Sequence, residues 1–267
     1  MKHFKFNFLI NIFIAALPVS LLLQSCAPVS VRPPSRTIDK AEIVHMVSSL
    51  REQETRVNSF FSTGKIIFHE NDSESEANIL VVGSKNPLRV RIEITHPWGR
   101  PLFQCVVRDY EFFLLSFTEK KLYVGLQGSV PPGGFSPGRL EQEQLWGIIR
   151  GYPAPCEEGR VASLKGNQII FMDHEEESLE VIDFYPQNNL PRLISFPEKG
   201  ISVEFSEFGD LEGIRYAGNV RVIDSLSGTV LELRLRDRTF NEPIPEDLFN
   251  LKIPAGFQKV MLKETIN

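Results

Sequence analysis

The sequence has 267 residues, with 34 acidic and 29 basic side chains and a net charge of −5 at pH 7. This acidic balance argues against a surface that binds nucleic acid or anionic membranes, because both partners attract basic patches. A chain of this length, 42% of it hydrophobic, suits one large all-β domain or two small domains.

The N-terminus has the layout of a secretory signal peptide. Lys2 and Lys5 precede a mostly apolar run, Phe6 to Leu23, which is too interrupted for a membrane-spanning helix. The run ends in Leu23-Gln24-Ser25-Cys26, which resembles the bacterial lipobox. An ordinary signal with an incidental cysteine would leave the pattern at the cut site unexplained. We therefore predict a cleaved lipoprotein signal peptide over residues 1–25, with multiple acyl chains on Cys26 as the anchor.

A proline-rich segment follows the lipidated Cys26. Residues 26–37 contain Pro28, Pro33 and Pro34, a composition that favours an extended tether lifting the next domain off the bilayer. If the retention rule of enteric bacteria applies, Ala27 rather than Asp after the cysteine indicates the outer membrane. We therefore predict a lipid-anchored outer-membrane protein that faces the periplasm and has one domain over residues 38–267.

Two cysteines remain after Cys26 is lipidated. The exported compartment permits a disulfide between Cys105 and Cys156, but their spacing in sequence says nothing about the geometry that a disulfide requires. The alternative is two small buried thiols that behave as hydrophobic side chains. The residues alone leave both possibilities open.

The first element of the domain is predicted to be a helix. Asp39 and Glu42 have the spacing of a capping box, and Ile43, Val47 and Leu50 recur at helical intervals. Such a helix would have one apolar face to pack against a sheet.

Beyond residue 57 the apolar residues recur with period two. In Leu88 to Thr95 apolar and polar side chains alternate without a break, as in a strand with one dry and one wet face. The strand-like runs are 64–68, 77–83, 88–95, 102–108, 112–117, 121–124, 168–172, 179–185, 192–196, 201–208, 214–223 and 229–238. Together they predict a mainly β domain, a long antiparallel meander of about eleven or twelve strands.

One loop and one helix are predicted to interrupt the meander. Val130 to Gly134 contains two prolines and two glycines, which favour a loop. Ser136 and Pro137 suit the N-cap and first turn of a helix over roughly residues 138–150. This helix and the N-terminal one could cover one face of the sheet.

The sequence offers one catalytic motif, and its chemistry is incomplete. Gly134 to Gly138 matches the G-x-S-x-G pattern of serine hydrolases, which needs a backbone N–H from the residue after the serine. That residue is Pro137, which has no N–H. The histidines are scattered, and Asp173 to Glu177 suits a solvated hairpin turn better than a metal site. The sequence therefore predicts no enzyme, no catalytic residue and no metal site.

Several motifs, in their order along the chain, resemble a known family. Leu88 to Leu102 is similar to the third strand and following loop of the LolB family of outer-membrane lipoprotein receptors. The resemblance continues through Phe113-Leu114-Leu115, Lys121-Leu122-Tyr123 and Leu145 to Pro153. Pro245 to Phe257 resembles the ending common in the wider LolA/LolB-like lipoprotein-sorting superfamily. Together the motifs cover most of residues 38–262.

This resemblance implies both a fold and a function. The fold would be an unclosed antiparallel β-barrel with covering α-helices, a half-barrel that holds acyl chains on its concave face. The function would be to accept acylated lipoproteins or lipids from a soluble periplasmic carrier of the LolA type and insert them at the outer membrane, without covalent catalysis. No cofactor is expected besides the lipid on Cys26 and a bound acyl chain, and the protein is expected to act as a monomer.

The acyl-binding face would be lined by residues of one parity in each strand. We predict that this face comprises Val90, Ile92, Ile94, Phe103, Phe112, Leu114, Phe171, Phe205, Leu231 and Leu233. A plain packed core explains the alternation equally well. A shift of one residue in register would move the whole set to the other face.

Trp98 falls where the receptor family carries an exposed apolar residue that helps deliver lipoproteins into the membrane. Pro97, Gly99 and Pro101 surround it and should give the loop a defined shape. The alternative is that Trp98 folds back and plugs one end of the barrel, since tryptophan is more often buried than exposed.

A second class of function stays open. A structural or assembly lipoprotein could use the same scaffold to hold an envelope protein partner. Exposed phenylalanines at strand edges would favour this role, whereas an open apolar concave face would favour acyl binding.

Overall fold

The computed structural model describes residues 38–70, 73–126, 129, 139–156, 159–163 and 166–262. All of them belong to one compact unit, Arg36–Asn267. The predicted signal peptide, Cys26 and the tether lie outside the described residues, as do the predicted loop and the G-x-S-x-G motif with Ser136.

The described residues form two α-helices, fourteen strands and two 3-10 helices. The α-helices are α1 (Lys40–Thr55) and α2 (Gln142–Arg150). The strands of the first half are β1 (Ser59–Glu70), β2 (Ser73–Lys85), β3 (Leu88–Thr95), β4 (Pro101–Arg108), β5 (Glu111–Ser116) and β6 (Lys121–Leu126). Those of the second half are β7 (Arg160–Ala162), β8 (Gln168–Met172), β9 (Ser178–Phe184), β10 (Pro191–Phe196), β11 (Ile201–Leu211), β12 (Ile214–Asp224), β13 (Thr229–Phe240) and β14 (Gln258–Met261). The 3-10 helices are Pro197–Lys199 and Glu246–Phe249.

All the strands belong to one open sheet. Its order is β14-β6-β5-β4-β3-β2-β1-β13-β12-β11-β10-β9-β8-β7. Neighbours are antiparallel except β14 and β6, which are parallel. The pairing of β1 with β13 joins two meanders, and the edge strands β7 and β14 do not pair with each other within the described residues. The predicted unclosed barrel with covering helices is therefore confirmed.

The strand count is higher than predicted. Every predicted run is a strand, and β7 and β14 are additional. These two have three and four residues, which is too short for alternation to be recognised. Moreover, β14 is held by a parallel partner far away in sequence, which no local pattern reveals.

Both helices begin where a side chain can satisfy their free N–H groups. The Asp39 carboxylate accepts a hydrogen bond from the Glu42 N–H at 2.8 Å, so the cap of α1 is confirmed. Helix α2 starts at Gln142, later than predicted. Its N-cap is Glu141, whose N–H donates to the Gln144 side chain at 3.1 Å. The position assigned to Ser136 was therefore wrong for this helix.

One face of the sheet packs against both helices. The apolar residues Val47 and Leu50 of α1 and Trp146 of α2 belong to the same buried cluster as the inward residues of the strands. Trp146 meets the Phe60 ring edge-on at 4.8 Å between centroids. Gly83 makes this close approach possible, because a Cβ there would lie 2.7 Å from a ring carbon of Trp146.

The opposite, outer face is partly covered by the C-terminal segment. Phe249 packs on Val82 and Val106, and Phe257 meets Phe117 with ring centroids 5.6 Å apart. The segment ends as β14 beside β6. This is where the C-terminal motif that resembles the superfamily lies.

Candidate functional site

The β3–β4 loop is a compact turn that holds Trp98 away from the core. The His96 N–H donates to the Arg100 carbonyl at 2.8 Å, and the Gly99 N–H donates to the His96 carbonyl at 2.7 Å. Gly99 has φ of 85°, which a glycine adopts at little cost. The Trp98 ring stacks against His96 with centroids 3.6 Å apart, yet its side chain is 80% exposed.

This exposure decides between the two alternatives for the position of Trp98. A tryptophan that plugged the barrel would belong to the buried cluster, and Trp98 does not. The loop instead presents a large amphipathic ring to the surroundings. Its role at a membrane is a separate question and stays a prediction.

Cross-strand pairing places the ten predicted acyl-binding residues on one face. Ile92 lies opposite Cys105, which lies opposite Leu114, and Ile94 lies opposite Phe103. In the other half, Leu233 pairs with Val220, which pairs with Phe205. This is the face that the helices cover.

The ten residues differ in how completely they are covered. The seven that are buried in the same cluster as the helices are Val90, Ile92, Phe112, Phe171, Phe205, Leu231 and Leu233. Ile94, Phe103 and Leu114 are half-buried. Ile94 and Phe103 flank the Trp98 loop, so two of the three half-buried residues lie next to this loop. Most of the predicted lining thus packs as a core, and two of its half-buried members lie beside the Trp98 loop.

Hydrogen bonds as well as apolar contacts hold the helices over this face. Arg150 at the end of α2 is fully buried and donates to the carbonyl oxygens of Gln53 in α1, at 3.2 Å, and of Tyr152, at 3.1 Å. Gln53 in turn donates to the Gly213 carbonyl at 3.1 Å. Burial lowers the pKa of Arg150 to about 10, which still leaves it charged at neutral pH.

Cys105 and Cys156 are not bonded to each other in the structure. Cys105 is buried on the helix-covered face, opposite Ile92. Burial raises the pKa of its thiol to about 12, which makes it unreactive at neutral pH. Cys105 therefore fits the second possibility, a small buried thiol that packs as a hydrophobic side chain, rather than one half of a disulfide.

One buried polar residue was missed at the sequence level. Glu180 in β9 is 2% exposed and lies opposite Phe171, on the helix-covered face. Burial raises the pKa of its carboxyl group to about 8. The signal was present in the sequence, because Glu180 is in phase with Ile182 and Phe184 along the same strand.

The acidic stretch between β8 and β9 forms a turn. The Asp173 carboxylate accepts hydrogen bonds from the N–H groups of Glu175, at 2.8 Å, and Glu177, at 2.9 Å. Among the described residues, no three His, Cys, Asp or Glu side chains come together as a metal site would require. In the same residues, no helix is both long and apolar enough to cross a bilayer.

Comparisons with known proteins identify the fold. No family model and no curated protein matches the sequence. A DUF1329 family protein from Desulfovibrio piger is 11% identical, with a TM-score of 0.55 over 80% of this chain and 98% of that one. A LolA superfamily protein from Nitrosomonas europaea is 15% identical, with a TM-score of 0.50 over 77% of this chain and 97% of that one. These likenesses show a shared fold. The closer resemblance to the LolB receptor family stays a prediction.

Proposed function

We propose that this protein is an outer-membrane lipoprotein, anchored through Cys26 and facing the periplasm, that binds acyl chains. It accepts acylated lipoproteins or lipids from a soluble carrier of the LolA type and inserts them at the outer membrane. The observation that carries the proposal is the 80% exposure of Trp98 at the tip of the β3–β4 loop. The fold, shared with a LolA superfamily protein, fits this role.

The exposed indole of Trp98 is suited to the acyl boundary of a bilayer. Moving a large apolar side chain out of water into an apolar environment is favourable by about 1.5–3 kcal/mol. The Trp98 ring does not gain this free energy while it is exposed. The indole N–H can stay hydrated while the ring enters the apolar layer. The membrane-facing element in this proposal is therefore a single side chain on a hydrogen-bonded turn.

The neighbouring half-buried residues supply a path for the acyl chain. Ile94 and Phe103 are paired at the loop end of β3 and β4. In the proposed transfer, an acyl chain reaches these two side chains first and is released beside Trp98. No covalent step is needed, because the chain moves to the apolar surface that binds it more tightly.

The test replaces Trp98 with a charged residue. Trp98→Glu should abolish insertion of lipoproteins into liposomes, while carrier binding and the melting temperature stay nearly unchanged, because exposed substitutions usually alter stability by no more than about 0.5 kcal/mol. The matched control is Tyr110→Glu. Tyr110 is 69% exposed in the β4–β5 turn, at the other end of β4. Equal insertion by the two variants would contradict the role of Trp98.

A groove on the outer face favours the second candidate function, binding of an envelope protein partner. Phe61 and Leu248 are 36% and 39% exposed there, and they line a groove of about 260 Å³ with Val82 and Ile244. Phe61→Ser would weaken the binding of such a partner and leave acyl transfer intact. An envelope defect of this variant with normal acyl transfer would therefore support the partner role.

A further inference from the structure

A cavity of about 400 Å³ lies where α1 and α2 meet the second meander. We call it the α2 cavity. Its apolar lining comprises Ala154, Pro155, Leu179 and Phe196. Its volume falls within the range of about 300–1,000 Å³ that is typical of small-molecule sites.

Glu180 gives this cavity an unsatisfied polar group. The residue lines the cavity although it is only 2% exposed. One carboxyl oxygen is buried without a hydrogen-bond partner among the described residues, while the group accepts a hydrogen bond from the backbone N–H of Cys156. A buried polar atom in this state is destabilising unless something binds to it. Glu180 thus offers a hydrogen-bonding position for a ligand.

The rim of the α2 cavity is predominantly negative. Glu54 of α1, Glu141 and Glu143 at the start of α2, and Glu198 of the first 3-10 helix all line it. The one cationic side chain in the lining is Lys199. An approaching cation is therefore attracted and an anion repelled.

The nearby lysines are already engaged with rim residues rather than with Glu180. The Lys199 ammonium group donates to Glu141, at 2.8 Å, and to Gln144, at 2.7 Å. Glu54 accepts a hydrogen bond from Lys85 at 2.9 Å. The position beside Glu180 is left for an external cation.

We propose that the α2 cavity binds an amphiphilic cation, whose ammonium group pairs with Glu180 while its apolar part lies along Leu179 and Phe196. A metal ion fits less well, because the described residues include no cluster of three ligating groups. The inference goes beyond the proposed function and does not depend on it, since neither Trp98 nor delivery to a membrane is involved.

The buried carboxyl makes this binding depend on pH. Burial raises the pKa of Glu180 to about 8, so the group is largely protonated at neutral pH. A bound ammonium ion favours the carboxylate and lowers this pKa. Binding at neutral pH therefore releases a proton, and affinity rises as the pH increases to about 8. The other charged groups that face Glu180 are the four rim carboxylates and Lys199.

The test compares two probes with the same apolar tail. Calorimetric titration of the full chain with decylammonium at pH 8.5, below the micelle concentration, should give at least about tenfold tighter binding than decyl sulfate, a difference of about 1.4 kcal/mol. Glu180→Gln keeps the shape of the side chain and should remove this preference. Glu175→Gln, which removes the same charge from the exposed β8–β9 turn, should retain it. Equal binding of both probes, or full cation preference in Glu180→Gln, would overturn the proposal.

A second measurement needs no variant. Carboxyl-carbon NMR of the unmodified chain should show the pKa of Glu180 falling when decylammonium is present. An unchanged pKa with saturating probe would overturn the proposal, since the cation would then lie elsewhere. Trp98→Glu should bind the probe normally, which separates this site from the proposed delivery role.

Discussion

At the residue scale, the proposed anchoring depends on the single thiol of Cys26. Cys26→Ala removes the atom that accepts the lipid, so the variant should be uncleaved or soluble and should incorporate no labelled palmitate. Cys105→Ala is the control, because the buried Cys105 thiol is no acceptor and its loss should leave labelling unchanged. Palmitate incorporation by Cys26→Ala would show that the lipid is attached elsewhere.

Glu180 should make stability depend on pH. Its pKa is raised from 4.5 to about 8 in the folded state, so folding favours the protonated form. The contribution of the raised pKa to the free energy of unfolding is fully present below about pH 4.5. It is lost as the pH rises through about 8, at up to about 1.4 kcal/mol per pH unit. The free energy of unfolding of Glu180→Gln, measured from pH 5 to 9, should therefore fall less than that of the unmodified protein. Parallel curves would mean that Glu180 is ionised throughout.

Single residues differ in how far the sequence determined their position. The Asp39 cap was predictable because its partner, Glu42, is three residues away. The exposure of Trp98 was not, because it depends on where the loop stands relative to a core assembled from distant strands. Glu180 could have been found, since an acid in phase with buried apolar residues marks the covered face of a strand.

At the element scale, the half-buried pair Ile94 and Phe103 lies at the loop end of the β3–β4 hairpin. Phe103→Ser should weaken acyl-chain binding about tenfold, because a half-buried aromatic contact is lost. Gln104→Ser, one residue along β4 and hence on the opposite face, should bind acyl chains normally. Fluorescent fatty-acid titration measures both variants. Equal affinities would place the acyl chain away from this hairpin.

The strand pattern was predictable where alternation is long enough to be recognised. In Leu88–Thr95 every second side chain faces the core or its edge, as the sequence indicates. The three residues of β7 carry no such pattern. The start of α2 was misplaced because Ser136 and Pro137 are good start signals, while the actual N-cap, Glu141, relies on the Gln144 side chain.

At the scale of the whole molecule, the β1–β13 pairing turns two meanders into one curved sheet. It joins residues such as Ile66 and Leu233, which are far apart in sequence. Period-two alternation predicts strands but carries no information about such a pairing. The half-barrel was therefore predicted from the family resemblance, and the fold similarity to solved structures agrees with it.

Whole-molecule packing also explains why core and cavity were hard to separate. The same face that was predicted to hold acyl chains is filled by Trp146 and Leu50 from the helices. Acyl binding on this face therefore requires the helices to move, or it is confined to the half-buried residues near Phe103. The alternation of apolar and polar residues along the strands is the same for a packed core and for an acyl-binding cavity.

The proposed role is tested most directly by reconstituted transfer. Acylated lipoprotein labelled with a fluorophore is loaded on a soluble LolA-type carrier and mixed with liposomes that bear this protein through its Cys26 lipid. We predict that the labelled cargo moves to these liposomes faster than to protein-free liposomes, and that Trp98→Glu abolishes the difference. Cargo that stays on the carrier equally with and without the protein would contradict acceptance and delivery of lipoproteins.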